Sequence, residues 1–386
     1  MFSRRVPEDR EPNRLARALA RARAAGEVLD LTTSNPTRVG ISYPDDLLAP
    51  LADPASLEYL PSPFGRAAAR EAVARAYAGR GIAADPDRIV LTASTSEAYS
   101  LLFKLLCDAG GSSVLTPVPS YPLFEHLARL DGVTQHRYAL AYHGLWTVDG
   151  DHLDRVWAPD TRAVLAVSPN NPTGAILSDA DAAELATRCA QRGAALIVDE
   201  VFADYPLDRA FHDPPALGSA ECLVFRLGGL SKTVGLPQLK LGWIAVDGPR
   251  DAVAEALDRL ELICDTYLSV ATPVQIALPS LLDRGTIVRD QILERIRRNY
   301  ATLRQLVSGS AAVLPADGGW SAVIRVPATR GEEALVLELL ERDRVAVHPG
   351  YFFDFSHEAF LVTSLLPEPE TFANAVRLIQ DRVDAA

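Results

Sequence analysis

The chain has 386 residues, of which 48% are hydrophobic and 23% charged, a balance typical of globular proteins and long enough for two domains. A formal net charge of −12 and an isoelectric point near 5.1 argue against nucleic acid or an anionic membrane surface as a main partner. No apolar run approaches the ~20 residues that a membrane-spanning helix requires.

The N-terminal segment is expected to form an extended arm and then a short helix. It is rich in arginine, but it also carries Glu8, Asp9 and Glu11 and lacks the apolar core of a secretory signal. Apolar residues recur at helical spacing between positions 15 and 22. We expect this arm to pack on a neighbouring surface of the protein.

Helical and strand-like segments then alternate along the middle of the chain. The helical segments are "REAVARAYAGRGI", "SEAYSLLFKLLCDAG" and "SDADAAELATRCAQRG". The strand-like segments are "RIVLTAS", "SSVLTPVPS", "RAVLAVSPNNPTG" and "AALIVDEVFADY". This alternation predicts a mainly parallel sheet with helices on both faces.

The last part of the chain predicts a second, smaller α/β domain. Helices over 250–264 and 286–308 precede the strand-like "WSAVIRVP", the helical "GEEALVLELLERD" and the strand-like runs "VAVHPG" and "FLVTSLL". We expect an arm and part of the small domain in residues 1–48. Residues 49–280 would form the large domain and 281–386 the C-terminal small domain.

The cysteines and histidines show neither a disulfide framework nor a metal site. The four cysteines are widely spaced without a C-x-x-C pair, which is typical of buried thiols in a reducing compartment. The seven histidines lack the spacing of metal ligands. We therefore expect a cytoplasmic protein without a metal centre.

Polar residues follow several of the predicted strands, where ligands of α/β sheets bind. Ser94, Thr95 and Ser96 come after one strand and begin a helix, whose free N–H groups and dipole favour a phosphate. The alternative is an ordinary capping box that includes Glu97.

Two further turns carry polar groups at strand ends. In "SPNNPTG", Asn170 and Asn171 lie in a rigid turn that could present an amide to a ligand oxygen, or could be a turn and no more. Asp199 and Glu200 end an apolar strand, where a buried carboxylate is costly unless a cation pairs with it. A cap at the strand end is the alternative reading.

The stretch "GGLSKTVGLPQLKLGW" holds two of only three lysines, whereas 35 of the 38 basic residues are arginines. Arginine stays protonated, but a lysine amine can lose its proton and form a Schiff base. Lys232, directly after Ser231, is therefore the candidate nucleophile. Codon bias and chance are the alternative for this stretch.

Taken together, these motifs resemble the fold-type-I, pyridoxal-phosphate-dependent aminotransferases of class I/II. The matching segments are "NPTG" at 171–174, "DEVFADY" at 199–205 and "LSKTVGLPQLKLGW" at 230–243, and the similarity extends from "SNPT" to "HPG". The resemblance implies a large domain with a mainly parallel sheet flanked by helices, plus a smaller α/β domain. It also implies pyridoxal 5'-phosphate as the cofactor.

The resemblance further implies a role for each matching residue. Lys232 would form the internal aldimine and move the substrate proton, Asp199 would pair with the pyridinium nitrogen, and Asn171 would donate to the phenolic oxygen. Tyr121 would stack on the ring, or is a core tyrosine. Lys240 stands where the family more often has a phosphate-binding arginine. Tyr59 would reach the phosphate of the other subunit, which implies a homodimer. The implied cofactor residues are Ser94, Thr95, Ser96, Tyr121, Asn171, Asp199, Ser231, Lys240 and Tyr59.

Two departures from the family pattern concern the cofactor. Phe202 stands where relatives often carry a tyrosine that donates to the phenolic oxygen, and Gly229 replaces a hydroxyl residue near the phosphate. We expect neither loss to abolish the mechanism.

A third departure concerns the substrate. Leu361 and Val362 stand where the family usually has an arginine that clamps the substrate carboxylate. One alternative is that Arg325 serves instead, although a surface role is favoured for it; another is that the substrate is not an ordinary α-amino acid. Hydroxyl and backbone donors could also hold it, around Ser34, Asn35, Thr363 and Ser364.

The segment "HPGYFFDF" lies close to this region of the sequence. Its aromatic residues, among them Tyr351 and Phe353, could wall the substrate pocket or belong to the core of the small domain. With Asn35, these two complete the predicted substrate-binding set.

The predicted activity is transamination between an amino acid or amine donor and an oxo acid. A β-lyase of the same fold, which would cleave a substituent such as a thiol, is the alternative. A non-catalytic regulator is disfavoured, because about 30 residues before the first motif are too few for a winged helix.

Overall fold

The computed structural model describes residues 2–207, 217 and 221–385. Its α-helices are α1 Arg14–Ala25, α2 Ala67–Ala78, α3 Thr95–Leu106, α4 Leu123–Asp131, α5 Gly150–Val156, α6 Asp179–Arg192, α7 Leu230–Thr233, α8 Arg250–Tyr267, α9 Thr272–Arg284, α10 Thr286–Leu306, α11 Glu332–Arg342 and α12 Pro369–Asp384. Its strands are β1 Leu29–Asp30, β2 Ile89–Thr92, β3 Ser113–Val118, β4 Thr134–Tyr142, β5 Trp146–Val148, β6 Thr161–Val167, β7 Ala195–Asp199, β8 Val224–Gly229, β9 Gly242–Asp247, β10 Ala312–Val313, β11 Ser321–Arg325, β12 Val345–Ala346, β13 His348–Pro349 and β14 Phe360–Ser364.

An eight-stranded sheet forms the centre of the larger part, in the order β2-β9-β8-β7-β6-β3-β4-β5. Its strands run parallel except β9 and β5, which are antiparallel to their neighbours. In β7, Ile197 packs in a cluster with α3 and α8, whereas Val198 packs in another with α6. Helices therefore cover both faces, and the predicted α/β fold with a mainly parallel sheet is confirmed.

A second, four-stranded sheet is antiparallel throughout, in the order β10-β11-β14-β13. Helices α10, α11 and α12 pack together beside it. The N-terminal arm joins this part, since β1 pairs with β12 and α1 packs on α11. The division at residues 48 and 280 stays a prediction, and residue 280 lies within α9.

The sheet brings the predicted site residues to one edge. Because β2, β6, β7 and β8 run in the same direction, the segments after their last residues meet at the carboxyl edge of the sheet. These segments carry Ser94, Asn171, Asp199 and Lys232. Lys240 lies at the same edge, because it precedes the antiparallel strand β9.

Candidate active site

Lys232 lies on α7, the single helical turn that follows β8. Its Nζ is 4.6 Å from the ring centroid of Trp320 and 5.3 Å from that of Phe202. Burial lowers the pKa of Lys232 to about 8, while the charge of Asp199 acts in the opposite direction. A useful fraction of this amine is therefore neutral near physiological pH, and the neutral amine is the nucleophilic form.

Asp199 ends β7 with its carboxylate buried. Its Oδ2 accepts a hydrogen bond of 2.9 Å from the Tyr99 hydroxyl, and its Oδ1 accepts one of 3.1 Å from the backbone N–H of Val201. Burial raises the pKa of Asp199 to about 6, although both hydrogen bonds and the charge of Lys232 oppose the rise. The carboxylate is thus held by neutral donors and would gain from a cation placed against it.

Glu200, the next residue, has a different environment. Its buried carboxylate accepts hydrogen bonds from Arg226 and from Arg80, the latter at 3.3 Å. Two protein cations therefore compensate Glu200. The expected need of a strand-end carboxylate for a cation is met within the protein for Glu200, and Asp199 is the one left to face a ligand.

The N-terminus of α3 combines a capping box with free donors. Ser94 Oγ accepts from the N–H of Glu97 at 3.1 Å, and Glu97 accepts from the N–H of Ala93 at 2.6 Å. Ser94 therefore caps the helix as in the alternative reading of the motif, but Glu97 bonds to the residue before the cap and not to Ser94 as in a full capping box. The first two N–H groups of the helix, on Thr95 and Ser96, have no acceptor within a helix and can still bind an anion.

The two asparagines of the turn after β6 have different partners. Asn170 is buried and bonded internally, donating to Pro119 O and Thr173 Oγ1 and accepting from Ser120. Asn171 is partly buried, and its Oδ1 accepts from Ser321 Oγ at 3.3 Å. With its oxygen held in this way, Asn171 has Nδ2 as the group to donate to a ligand.

The remaining predicted cofactor residues lie at varying depth. Ser231 is partly buried beside Lys232, and Lys240 is exposed. Tyr121 is half-exposed; burial and the charge of Asp199 raise its pKa, so its ring lies near the Asp199 side of the site. Tyr59 is 73% exposed in this single chain.

The predicted substrate residues lie in the arm and in the segment after β13. Asn35 is partly buried, and its Oδ1 accepts from the N–H and the hydroxyl of Thr37. Tyr351 is half-exposed. Phe353 is buried in a cluster with Leu314 and Val362, and its carbonyl accepts from the N–H of Ser120.

The strand that usually carries the clamping arginine offers no free polar side chain in the described structure. Leu361 and Val362 are buried in β14. The Thr363 hydroxyl donates to the carbonyl of Ser364, whose own Oγ accepts from Leu366 N–H. Arg325 is exposed at the end of β11, four residues or about 13 Å along the strand from the Ser321 position beside Asn171.

Three residues that the sequence did not single out complete this site: Tyr99, Trp320 and Ser321. Tyr99 lies one helical turn after the Ser94–Ser96 motif, a spacing that places both on one face of α3. Trp320 and Ser321 follow Gly318 and Gly319 at the start of β11, and this glycine pair was the available signal.

A short segment of the small domain, residues 316–321, is fixed to the large domain by backbone hydrogen bonds. The N–H groups of Asp317 and Gly318 both donate to the carbonyl of Gly174 at 3.0 Å, and Gly319 N–H donates to Tyr205 O at 2.9 Å. Tyr205 in turn donates from its hydroxyl to Lys232 O at 2.5 Å. The 316–321 segment thus links the Asn171 turn to the helix of Lys232.

Residues 25–379 match the family model described as aminotransferase class I and II. The chain belongs to this family. Glutamate-pyruvate aminotransferase of Haemophilus influenzae is 25% identical over 361 residues, which cover 90% of this chain and 89% of the relative. Alanine aminotransferase of Mycobacterium bovis is 27% identical over 369 residues, covering 92% of this chain and 86% of the relative.

Solved structures show the same fold. Alanine aminotransferase from Pyrococcus furiosus superposes with a TM-score of 0.84 at 21% identity, covering 96% of this chain and 95% of the other. A double mutant of Thermus thermophilus aspartate aminotransferase also gives 0.84 at 21% identity, with 99% of each chain covered. The chain therefore has the fold-type-I architecture of the aminotransferases.

Members of this family use pyridoxal phosphate, and this chain is a pyridoxal-phosphate-dependent aminotransferase. Its residues fit the cofactor: a helix N-terminus with free N–H groups suits the phosphate, and the buried Asp199 carboxylate suits a protonated ring nitrogen. The desolvated amine of Lys232 suits the aldehyde. Within the described residues, no group of side chains could hold a metal ion, and no helix has the length and apolar character to cross a membrane.

Proposed function

We propose that Lys232 is the catalytic lysine of this aminotransferase and that Asp199 and Asn171 hold the cofactor ring. The observation that carries the proposal is the desolvated Lys232 amine within the electrostatic reach of the buried Asp199 carboxylate. Pyridoxal phosphate, when bound, supplies an aldehyde for the amine and a ring that withdraws electrons from the substrate. The protein supplies position, charge and proton transfer.

Each residue has a separate task in this proposal. Lys232 Nζ accepts the proton from the substrate Cα, and its pKa of about 8 suits a base that works near neutral pH. Asp199, oriented by Tyr99, keeps a positive charge on the ring nitrogen. Asn171 donates from Nδ2 because Ser321 occupies its oxygen. Tyr121 covers one face of the ring.

The phosphate is assigned to the edge formed by α3 and the segment around β9. The N–H groups of Thr95 and Ser96 would donate directly, the Ser94 and Ser231 side chains would line the site, and Lys240 would add a positive charge. Ser94 contributes mainly by capping α3, since its Oγ already accepts from Glu97.

We also propose a homodimer in which Tyr59 contacts the phosphate of the partner. Tyr59 is exposed beside Leu57, which is 91% exposed, and Leu60. Tyr59, Leu60 and Leu268 line one groove together with polar residues such as Ser62 and Gln275, so this surface offers both apolar and polar contacts to a second copy.

A cytoplasmic location is proposed as well. The free thiols support it, because cysteines stay reduced in the cytoplasm.

The donor is proposed to be an α-amino acid, with alanine and glutamate first in line because relatives are named for them. Since the β14 position holds Leu361, the carboxylate would be held from the arm. Asn35 is proposed to form the hydrogen bond to this carboxylate. Thr37 already bonds to the side-chain oxygen of Asn35, which leaves the Nδ2 group to bind the substrate. Tyr351 and Phe353 would limit the size of the donor side chain.

A single-turnover spectral screen tests this proposal. The holoenzyme is mixed with α-amino acids and with matched amines that lack the carboxylate, and the conversion of the cofactor from aldehyde to amine form is followed by absorbance. We expect alanine or glutamate to convert the cofactor and the matched amines to fail. An Asn35→Ala variant should raise the apparent dissociation constant of the donor, with little effect on the limiting rate.

Other outcomes have defined meanings. Conversion by amines alone would contradict an α-amino acid donor. Release of pyruvate and ammonia from β-substituted amino acids, without an acceptor, would favour the lyase.

A further inference from the structure

Two aromatic rings lie beside the amine of Lys232, a residue that is partly buried. Trp320 is the nearer ring, with its centroid 4.6 Å from Nζ, and only 3% of its surface is exposed. Phe202 packs edge-on against Trp320 at a centroid distance of 5.4 Å. The two rings therefore form one wall beside the reacting nitrogen.

Trp320 reaches Lys232 because the small domain is fixed to the large one at this point. Its backbone neighbours bond to Gly174 and Tyr205, and its ring packs edge-on against the Tyr205 ring at 5.0 Å. Tyr205 also bonds to the Lys232 carbonyl. Tyr205 therefore contacts both the Trp320 ring and the backbone of Lys232, which fixes the position of the ring relative to the helix that carries the amine.

We propose that Trp320 is a further catalytic residue, whose ring, with that of Phe202, keeps water from the Lys232 amine and so sets the pH range in which the amine reacts. This inference rests on the proposed role of Lys232. Two effects of the rings oppose each other: their faces attract an ammonium ion, whereas the exclusion of water disfavours it.

Exclusion of water is the larger effect at this site. The pKa of Lys232 is lowered, with burial as its main cause, even though the carboxylate of Asp199 opposes the change. Asp199 on β7 is the charged group that acts on the amine in the described structure, while Phe202, Trp320 and the bonded Tyr205 hydroxyl are neutral. Removal of the Trp320 ring should therefore raise the pKa of the amine.

The three lysines of the chain make a direct test possible. The full-length protein without cofactor is labelled with a trace of acetic anhydride at a series of pH values, and acetylation of Lys232 is compared by mass spectrometry with that of the exposed Lys240 in the same sample. The pH midpoint of the Lys232 curve is the quantity of interest, because a change in reagent access scales every point equally.

We expect the Trp320→Ala variant to shift this midpoint upward by about one unit, so that relative labelling below the midpoint falls about tenfold. Trp320→Phe, which keeps a ring, should stay within about twofold of wild type. An unchanged midpoint in Trp320→Ala would overturn the proposal. An equal shift in Trp320→Phe would also overturn it, because the indole N–H and not the ring would then be responsible.

Stability and turnover are followed separately. Trp157→Phe is the matched control. The Trp157 ring contacts Arg192 and not Lys232, so this substitution should leave the midpoint of Lys232 unchanged. If Trp320→Ala does not fold, Trp320→Leu and Phe202→Leu replace it, and an unchanged midpoint in both would contradict the inference. Because labelling needs no turnover, failure of this inference is distinct from failure of the proposed role of Lys232, which is judged by the activity of Lys232→Arg.

Discussion

At the scale of single residues, the nucleophile can be tested against a lysine only eight positions away. Lys232→Arg keeps a positive charge but removes the amine that is proposed to react with the cofactor, so we expect a loss of turnover of about 10³-fold or more. Steady-state assays with alanine or glutamate measure it.

Lys240→Arg is the matched control for this substitution. Lys240 is exposed and is proposed to act only through its charge, which arginine retains. Its activity should stay within a few fold of wild type. Comparable losses in the two variants would contradict the assignment of Lys232.

The pKa of Asp199 predicts a pH dependence of stability in the cofactor-free protein. That pKa is about 6 in the folded protein against 3.8 as the ordinary value, so the folded state retains a proton that the unfolded chain releases between these values. The stability contribution of Asp199 is therefore present at low pH and is lost as pH rises through 6. An Asp199→Asn variant removes this dependence, and its free energy of unfolding relative to wild type should rise by up to about 3 kcal/mol between pH 4 and 7.

Urea unfolding of both proteins at fixed pH values checks this difference. Tyr99→Phe is a useful comparison. It removes one hydrogen bond to the charged carboxylate and so raises the pKa of Asp199 further, and its stability should fall more than that of wild type as the pH rises. If the difference in free energy of unfolding between Asp199→Asn and wild type is the same at every pH in this range, the pKa of Asp199 is not raised in the folded protein.

The sequence identified residues whose chemistry is unusual for their position and did not identify their partners. Lys232 stood out among arginines, and Asp199 ended an apolar strand, so each carried its own signal. Tyr99 and Trp320 are ordinary aromatic residues, and their contacts with Asp199 and Lys232 come from segments distant in the chain. Only the fold brings such pairs together.

At the scale of elements, the turn after β6 must approach the 316–321 segment very closely. A Cβ on Gly174 would lie 2.5 Å from Ala316 Cβ and 2.8 Å from Gly318 O, and Gly174 has φ of +71°. Gly174→Ala should therefore be destabilising through both backbone strain and a clash with backbone atoms. We also expect weaker cofactor binding, because the neighbouring Asn171 would move.

Gly193→Ala separates the two causes. Gly193 ends α6 with φ of +65°, yet nothing lies within 4 Å of a Cβ there, so only the strain is added. Gly174→Ala should be less stable than Gly193→Ala by about 1–3 kcal/mol in urea unfolding. If both variants lose the same free energy of unfolding, the 316–321 segment moves away from the new Cβ atom without destabilising the protein.

The elements themselves were predictable where burial is uniform. β7, buried at every residue, appears in the sequence as the apolar run "ALIV" before Asp199. β4 was not predicted, because it is near the sheet edge and its exposed and buried residues follow no simple alternation. The reversed direction of β9 could not be predicted either, since an apolar strand has the same composition in both directions.

At the scale of the whole molecule, the proposed dimer with shared sites predicts complementation. If the proposed roles hold, a Lys232→Ala chain and a Tyr59→Phe chain are each expected to be defective alone. In a hybrid dimer, one site has Lys232 from one subunit and Tyr59 from the other, and is intact. Random exchange should restore about a quarter of wild-type activity, well above the mean of the two parents.

The control mixes Lys232→Ala with a chain that carries Lys232→Arg, where no hybrid has an intact site. Mass spectrometry verifies that hybrid dimers have formed. If the mixture of Lys232→Ala and Tyr59→Phe is then no more active than the mean of its two parents, the shared site is contradicted. The sequence could suggest this arrangement only through Tyr59, because exposure of an apolar surface becomes visible only once the chain is folded.

The pairing of the N-terminal arm with the small domain has a consequence for how the protein forms during synthesis. Arg344 bonds to the carbonyl of Glu27 across a separation of 317 residues, next to the β1–β12 pair. The ribosome adds about 5–20 residues per second, so α1 waits for some tens of seconds before its docking partner emerges. Meanwhile the large domain has all of its strands and can collapse, while the apolar face of α1, with Leu15 and Ala18, stays open to solvent. The apolar face of α1 therefore stays available for non-native contacts until its partner segment has been synthesised.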